Sequence, residues 1–383
     1  MKRITHIVIF ENYLENYSYQ ENLLSQKHKE LGYEVSIIAS QDYRDNDYKY
    51  RQREAGEYVN DYGIDIHVLS NTKHNPHLAR FFDKCIGLYE KLIKLQPDII
   101  FLHNFSGKDI QYVVKYKMLH PDVKLFVDCH NDFYNKPVNT LIKKFDAWMI
   151  RRRAKTLIPY TIKFWGTLPW RVEYLQKVYK VPAEKTDLLI MGADESKIIN
   201  REIAIIRREI RSCYNIPENS FVVISGGKLD KRKQQNLLME VIKQFAEENV
   251  WLIIFGEPTK EMKPIFEGYM NCSNIVQTGW IPSEKAYDFF LASDLAFFPG
   301  SHSVFWEQAV ACSLPIVVKH WKGIEHINVN GNAILLDEMN IDTISQTIKE
   351  LHNTTKYREM QAKAKSVASQ FFLREIARKG IGE

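Results

Sequence analysis

Short apolar runs rich in β-branched residues alternate with helix-length segments along these 383 residues, in two separate series. Thr5–Phe10 reads as a strand, Tyr19–Leu31 as a helix stopped by Gly32, and Glu34–Ala39 as the next strand. Ile64–Leu69, Asp98–Leu102 and Lys124–Asp128 continue the first series. The second runs through Phe221–Ser225, Trp251–Phe255, Ile275–Gln277, Leu295–Phe298 and Pro315–Val318. Strands spaced by helices predict parallel sheets with crossover helices, an α/β architecture. Asp194 to Asn219 reads as a charged connecting helix closed by Ile216-Pro217-Glu218-Asn219. The expected organisation is two Rossmann-like, doubly wound domains facing across a cleft. The expected boundaries are 1–195 and 196–370, with 371–383 as a C-terminal helix returning to the first domain. In such sheets ligands sit beyond the carboxyl ends of the strands.

Composition narrows the class. With 45% hydrophobic and 26% charged residues the chain is neither disordered nor a disulfide scaffold. Its five cysteines are dispersed without a C-x-x-C pair, so no disulfide framework or zinc site follows and a reducing cytoplasm fits. No apolar run approaches the roughly 20 residues that span a bilayer, so membrane contact is expected to be peripheral. The net charge of +5 is unevenly placed: Lys136 to Lys180 holds 11 basic and two acidic residues, leaving the remainder net acidic.

Two segments carry chemistry. Ser225-Gly226-Gly227-Lys228-Leu229-Asp230-Lys231-Arg232-Lys233-Gln234 lies between a strand and a helix. Glycines let backbone N–H groups approach an anion, a helix N-terminus adds partial positive charge and lysines neutralise phosphate. The alternative is a solvated turn with scattered lysines. The spacing excludes a Walker A loop. Phe298-Pro299-Gly300-Ser301-His302-Ser303-Val304-Phe305-Trp306-Glu307 is a second strand–turn–helix, with the helix expected from about Ser303 and Glu307 one turn inside. There a hydroxyl cap and N–H groups suit phosphate and the carboxylate suits ribose hydroxyls, unless Ser303 is simply an N-cap.

With these residues the second half resembles the nucleotide-sugar half of retaining GT-B glycosyltransferases, specifically glycosyltransferase family 4. The family's Gly-Arg-Leu turn, with a Lys five residues after the Arg, is matched by Gly227, Lys228 in place of the Arg, and Lys233. The resemblance implies that both lysines bind the donor diphosphate. Gly256-Glu257 is similar to the turn under the donor, and Gly279-Trp280-Ile281-Pro282 to the segment lining the base. Glu307 stands as the second Glu of the Glu-x7-Glu signature, the implied ribose contact. The first Glu is missing, Pro299 standing in its place, and Gln234 replaces the usual glycine after Lys233. His302 or Ser303, with Val304 beside them, occupies the donor side of the loop, or His302 is a surface histidine. Gly323-Ile324-Glu325-His326 and Asn330-Gly331-Asn332 resemble the pieces that follow.

The first half is less typical. Asp128-Cys129-His130-Asn131-Asp132 matches the family's strand-end His, so His130 is implied to face the donor sugar or the leaving phosphate. Tyr17, Tyr19 and Gln20 in the polar, aromatic loop after the first strand, with His103 and Asn131, are the expected acceptor contacts, although Tyr19 and Gln20 equally suit a helix start. Met191-Gly192-Ala193-Asp194 resembles the family's Gly-x-Asp loop.

The resemblance implies a retaining hexosyltransferase with His130, Lys233 and Glu307 as catalytic residues, using no metal or other cofactor. Its donor would be a nucleotide diphosphate sugar, UDP-sugar favoured, and its acceptor a glycan or lipid-linked glycan of bacterial surface-polysaccharide assembly. A nucleotide-sugar epimerase or hydrolase of the same architecture, or a non-catalytic sugar-nucleotide-binding protein, remains the alternative. Basic residues of 136–180 are interleaved with Phe145, Trp148, Tyr160, Phe164, Trp165, Trp170, Tyr174 and Tyr179. Such a face suits anionic lipid on the inner side of the cell membrane, or is a packed helix with solvated charges; nucleic acid fits less well. Oligomeric state is not legible.

Overall fold

The computed structural model describes residues 1–15, 19–44, 49–72 and 82–383. The chain divides into two compact units, Met1–Ile190 with Ile376–Glu383, and Met191–Glu375. The division precedes residue 195 because Ala193 belongs to the second unit, where its N–H donates to Phe371 O at 2.9 Å and its carbonyl accepts from Leu373 N at 2.8 Å.

The first unit contains β1 (Arg3–Val8), β2 (Glu34–Ser40), β3 (Asp42–Arg44), β4 (Tyr50–Gln52), β5 (Gly56–Val59), β6 (Asp65–Leu69), β7 (Ile99–His103), β8 (Lys124–Cys129), β9 (Lys163–Gly166) and β10 (Thr186–Leu188). Its helices are α1 (Gln20–Glu30), α2 (Leu88–Leu95), α3 (Ile110–Leu119), α4 (Leu141–Leu157) and α5 (Pro169–Lys177). The eight-stranded sheet runs β10-β9-β8-β7-β1-β2-β6-β5, and β3–β4 form a separate antiparallel pair. Only β5 is antiparallel within the large sheet. Both faces are covered, so central strands read as continuous apolar runs. Among the polar side chains that break that rule are His6 on β1, His103 on β7 and Asp128 on β8, all fully buried.

The second unit contains α6 (Ile203–Cys213), β11 (Phe221–Gly226), α7 (Gln235–Ile242), β12 (Val250–Phe255), α8 (Lys263–Glu267), β13 (Ile275–Gly279), α9 (Ala286–Ala292), β14 (Leu295–Phe298) and α10 (Phe305–Ala311). It continues with β15 (Ile316–Lys319), β16 (Ala333–Leu336), α11 (Ile341–Leu351) and α12 (Thr355–Val367), and the last helix, α13 (Leu373–Gly380), ends in the first unit's segment. Its sheet, β13-β12-β11-β14-β15-β16, is wholly parallel. Strand order reverses between β11 and β14, the switch point at which ligands of such sheets bind.

Two expectations are corrected. The helix expected from Asp194 to Asn219 is α6 alone, and it is integral to its unit. Arg207 and Arg211 both pair with Asp294, at 2.6 and 2.8 Å. The 136–180 stretch is not uniformly helical, because β9 runs through it and buries Phe164 and Trp165, while Tyr174 and Tyr179 are also core. Within it, exposed apolar and basic side chains come together on α4, where Leu141, Ile142, Phe145 and Trp148 lie open beside Lys143, Lys144, Arg151 and Arg152. Phe145 stacks on Trp148 and Arg152 lies over the indole, 5.0 Å from its ring centre.

Candidate functional site

Three turns close on one another beyond the switch point of the second unit. After β11, Gly227 takes φ +107°, and after β12, Gly256 takes φ +119°. A Cβ on Gly256 would stand 1.9 Å from the Gly227 carbonyl oxygen, so only glycine permits this approach. The third turn follows β14: a Cβ on Gly300 would meet the Arg232 carbonyl at 2.2 Å, and Ser301 N donates to that carbonyl at 3.0 Å. Phe305 fills the remaining corner, edge-on to Phe255 at 4.9 Å.

Lys233 locks two of these turns together. Its ammonium donates to the carbonyls of Ser301 and His302, each at 2.7 Å. Burial lowers its pKa to about 8, against a smaller opposing effect of Asp230. The cation therefore sits partly desolvated, where its field on an anion is strong. Gln234 follows it at φ 55° and precedes α7, a left-handed conformation that explains why a glycine suits this position. Lys228 lies exposed in the same turn.

The helix after the third turn begins at Phe305, not near Ser303, and Val304 rather than Ser303 takes the N-cap position without a side-chain bond. Glu307 is thus in the first turn and fully buried. His302 Nε2 and His326 Nε2 both donate to its Oε1, at 2.8 and 2.9 Å. Burial opposes the carboxylate's charge, but His302 and then His326 outweigh it and hold the pKa down to about 2. Oε2 is buried with no hydrogen-bond partner among the described residues, as is His326 Nδ1. A buried carboxylate oxygen without a donor costs free energy unless a ligand supplies one. Two imidazoles and a carboxylate with ligand atoms within 4.8 Å of one another also form a donor set for a divalent cation. The two N–H···O bonds account for their closeness without one. His326 is the partner that motif reading did not single out, because it lies 19 residues beyond Glu307 on the segment after β15.

Other expected donor contacts are nearer the rim: Trp280 is 71% exposed, and Ile281, Ser303 and Val304 are half-buried. In the first unit, β8 ends at Cys129 and His130 follows it, partly exposed. Its Nε2 lies 3.6 Å from Asp128 Oδ2, too far for a hydrogen bond, and has no other partner among the described residues. Burial opposes a charge on His130, but Asp128 outweighs it and the pKa is raised. Asn131 is buried and donates to the Tyr179 hydroxyl at 3.0 Å. His103 is fully buried with both ring nitrogens bonded inside the protein, so it offers nothing directly to an acceptor. Tyr19 is exposed; Gln20 is buried, its Nε2 donating to Leu189 O at 3.4 Å while its Oε1 has no partner among the described residues. Tyr17 lies outside the described residues. His6 and His28, which join His103 in the core, gave no motif signal; the clue was a histidine inside an otherwise apolar strand.

Among curated proteins no sequence match is found. Solved structures are similar over nearly the whole chain. Sucrose-phosphate synthase from Thermosynechococcus elongatus gives a TM-score of 0.67 at 13% identity, covering 99% of this chain and 97% of that one. HepE from Anabaena, solved with UDP and glucose, gives 0.65 at 14%, covering 99% and 98%. WaaG, a glycosyltransferase involved in lipopolysaccharide biosynthesis, gives 0.60 at 12%, covering 99% and 98%. At these identities the likeness is one of fold, the GT-B fold of two Rossmann-like units. Residues 206–367, within the second unit, match the model of the glycosyl transferases group 1 family.

Proposed function

We propose that this chain is a retaining glycosyltransferase of family 4 that moves a sugar, a hexose on this reading, from a nucleotide diphosphate donor. UDP-sugar is the favoured donor, and the acceptor is a glycan or lipid-linked glycan of bacterial surface-polysaccharide assembly. The observation that carries the reading is the pairing, beyond one switch point, of a desolvated Lys233 ammonium with a fully buried, ionised Glu307 whose Oε2 has no donor among the described residues. A nucleoside diphosphate supplies what each lacks: phosphate oxygens for the cation and ribose hydroxyls for the carboxylate. HepE, of the same fold, was solved with UDP.

On this reading the developing charge on the leaving diphosphate is stabilised by Lys233, by Lys228 and by backbone N–H groups around Gly227, in place before the bond breaks. His302 and His326 keep Glu307 ionised and oriented. His130 serves the sugar or leaving phosphate, and no metal or other cofactor takes part. The exposed apolar and cationic start of α4 supports peripheral docking on an anionic membrane, each Lys or Arg near the surface contributing about 1 kcal/mol. No helix among the described residues is long and apolar enough to cross a membrane. A thermal-shift panel of nucleotide sugars, run with and without EDTA, tests the donor site. The reading expects stabilisation by at least one uridine diphosphate sugar regardless of chelator. Stabilisation by none, or only with divalent metal, contradicts it.

A further inference from the structure

The first unit contains a line of buried side chains that the donor chemistry does not use. It starts at the Ala377 carbonyl of α13, 3.0 Å from His28 Nε2. His28 Nδ1 lies 3.0 Å from His6 Nε2, and His6 Nδ1 lies 2.9 Å from His103 Nε2. His103 Nδ1 then lies 2.6 Å from Asp128 Oδ2. All three rings and the carboxylate are fully buried.

Counting donors and acceptors along this line gives a definite result. A carbonyl oxygen at one end and a carboxylate at the other can only accept. Four contacts of 2.6 to 3.0 Å join them, and each needs one proton between its atoms. Three neutral imidazoles carry one N–H each, which is one proton too few. With all three neutral, three of the four contacts are filled and one is left without a proton, wherever along the line the gap falls. Two bare lone pairs would then face each other across that contact, among fully buried side chains.

We propose that this chain holds one proton beyond its neutral complement, carried by His103 as an imidazolium against the Asp128 carboxylate. His6 and His28 are thereby fixed as Nε2–H tautomers. The line makes His103 a positioning residue: it orients Asp128, whose Oδ1 accepts from Asn104 N at 3.1 Å and whose Oδ2 lies beside His130.

The surroundings agree. Burial lowers the pKa of His6 well below the usual value and that of His28 to about 4, so neither carries the proton. Burial works against charge on Asp128, but His103 and His130 outweigh it and hold the carboxyl well below the usual range. Other titratable or charged groups facing the line are Glu21 on α1, whose pKa burial raises, Glu11 on the loop after β1, Arg171 on α5, and Tyr33 and Glu383 near His28. Phe101 stacks on His6 at 5.4 Å and closes the face of the line to polar partners.

The proton count stands whatever the chain catalyses; only the consequence for His130 rests on the proposed function. The test is long-range 1H–15N correlation spectroscopy of the full chain, labelled at histidine, at pH 7.5, with rings assigned by single substitution. His103 is expected to show both nitrogens protonated, and His6 and His28 one each, on Nε2. Two variants at position 28 probe the line from two rings away. His28→Gln supplies both an acceptor for His6 and a donor for Ala377, so it should preserve the imidazolium. His28→Phe removes the acceptor, which lets His6 donate through Nδ1 and His103 become a neutral Nδ1–H ring. Three neutral rings in the unsubstituted chain overturn the proposal, as does a His103 state that ignores the Gln or Phe choice. If His28→Phe does not fold, the spectrum of the unsubstituted chain still decides.

Discussion

Glu307→Gln isolates the charge at the centre of the second unit's site. Glutamine keeps the volume and one oxygen for His302 and His326, but it converts two charge-assisted bonds into neutral ones and puts an NH2 where the unpartnered Oε2 stands. Lowering a carboxyl from 4.5 to about 2 corresponds to roughly 3 kcal/mol of preference for the charged form, at about 1.4 kcal/mol per unit. Because glutamine still accepts, the expected loss of stability is about 2 to 3 kcal/mol. The sign follows from linkage: a depressed carboxyl stabilises the fold above its unfolded value and loses that contribution as pH falls toward 2. Urea unfolding should therefore show the difference in full at pH 7 and a smaller one at pH 3. In parallel, calorimetric titration with UDP should show at least a tenfold weaker affinity, because a hydrogen bond to a charged group is worth about 1.5 to 3 kcal/mol. Equal stability at pH 7 would refute the reasoning about the two histidines. Unchanged UDP affinity in a stable variant would refute the role given to Oε2.

Three further outcomes follow from named contacts. Lys233 is charged below about pH 8 and loses its proton above it, so UDP affinity should fall between pH 7 and pH 9; a Lys233→Met variant should be weak and flat over that range. Gly256→Ala forces a Cβ onto the Gly227 carbonyl at positive φ and should cost at least about 2 kcal/mol, read as a lowered Tm, whereas destabilisation within error would show that the two turns can part. Salt-sensitive co-sedimentation with anionic liposomes should be lost in a Leu141→Glu, Trp148→Glu double variant that still binds UDP; absence of binding by the unsubstituted chain at low salt removes the membrane assignment.

Much of the fold was legible because buried parallel strands are continuous apolar runs, which is why β1, β2, β7, β8, β11 and β14 stood out. Short strands did not. Lys163-Phe164-Trp165-Gly166 reads as part of a basic, aromatic stretch, and only pairing beside β8 makes it β9. The glycine-rich turn after β11 was legible for a local reason, since glycine, lysine and the strand-to-helix change lie within ten residues of one another. What joins them was not: Lys233 reaches carbonyls 68 and 69 residues away, and His326 reaches Glu307 across 19. The histidine line was hidden for the same reason. His6, His28 and His103 are separated in sequence by 22 and 75 or more residues, and a histidine in an apolar strand gives no sign of what it meets. Spacing carries backbone turns well and through-space pairing poorly.

The central claim is that the second unit activates a nucleotide diphosphate sugar through Lys233. Nucleoside diphosphate release from a panel of nucleotide sugars, with glycan acceptors present, measures this directly for the unsubstituted chain and Lys233→Ala. The account predicts release from at least one donor by the former and none above background by a folded Lys233→Ala. Equal release by both, or release from no donor in the panel, would contradict it.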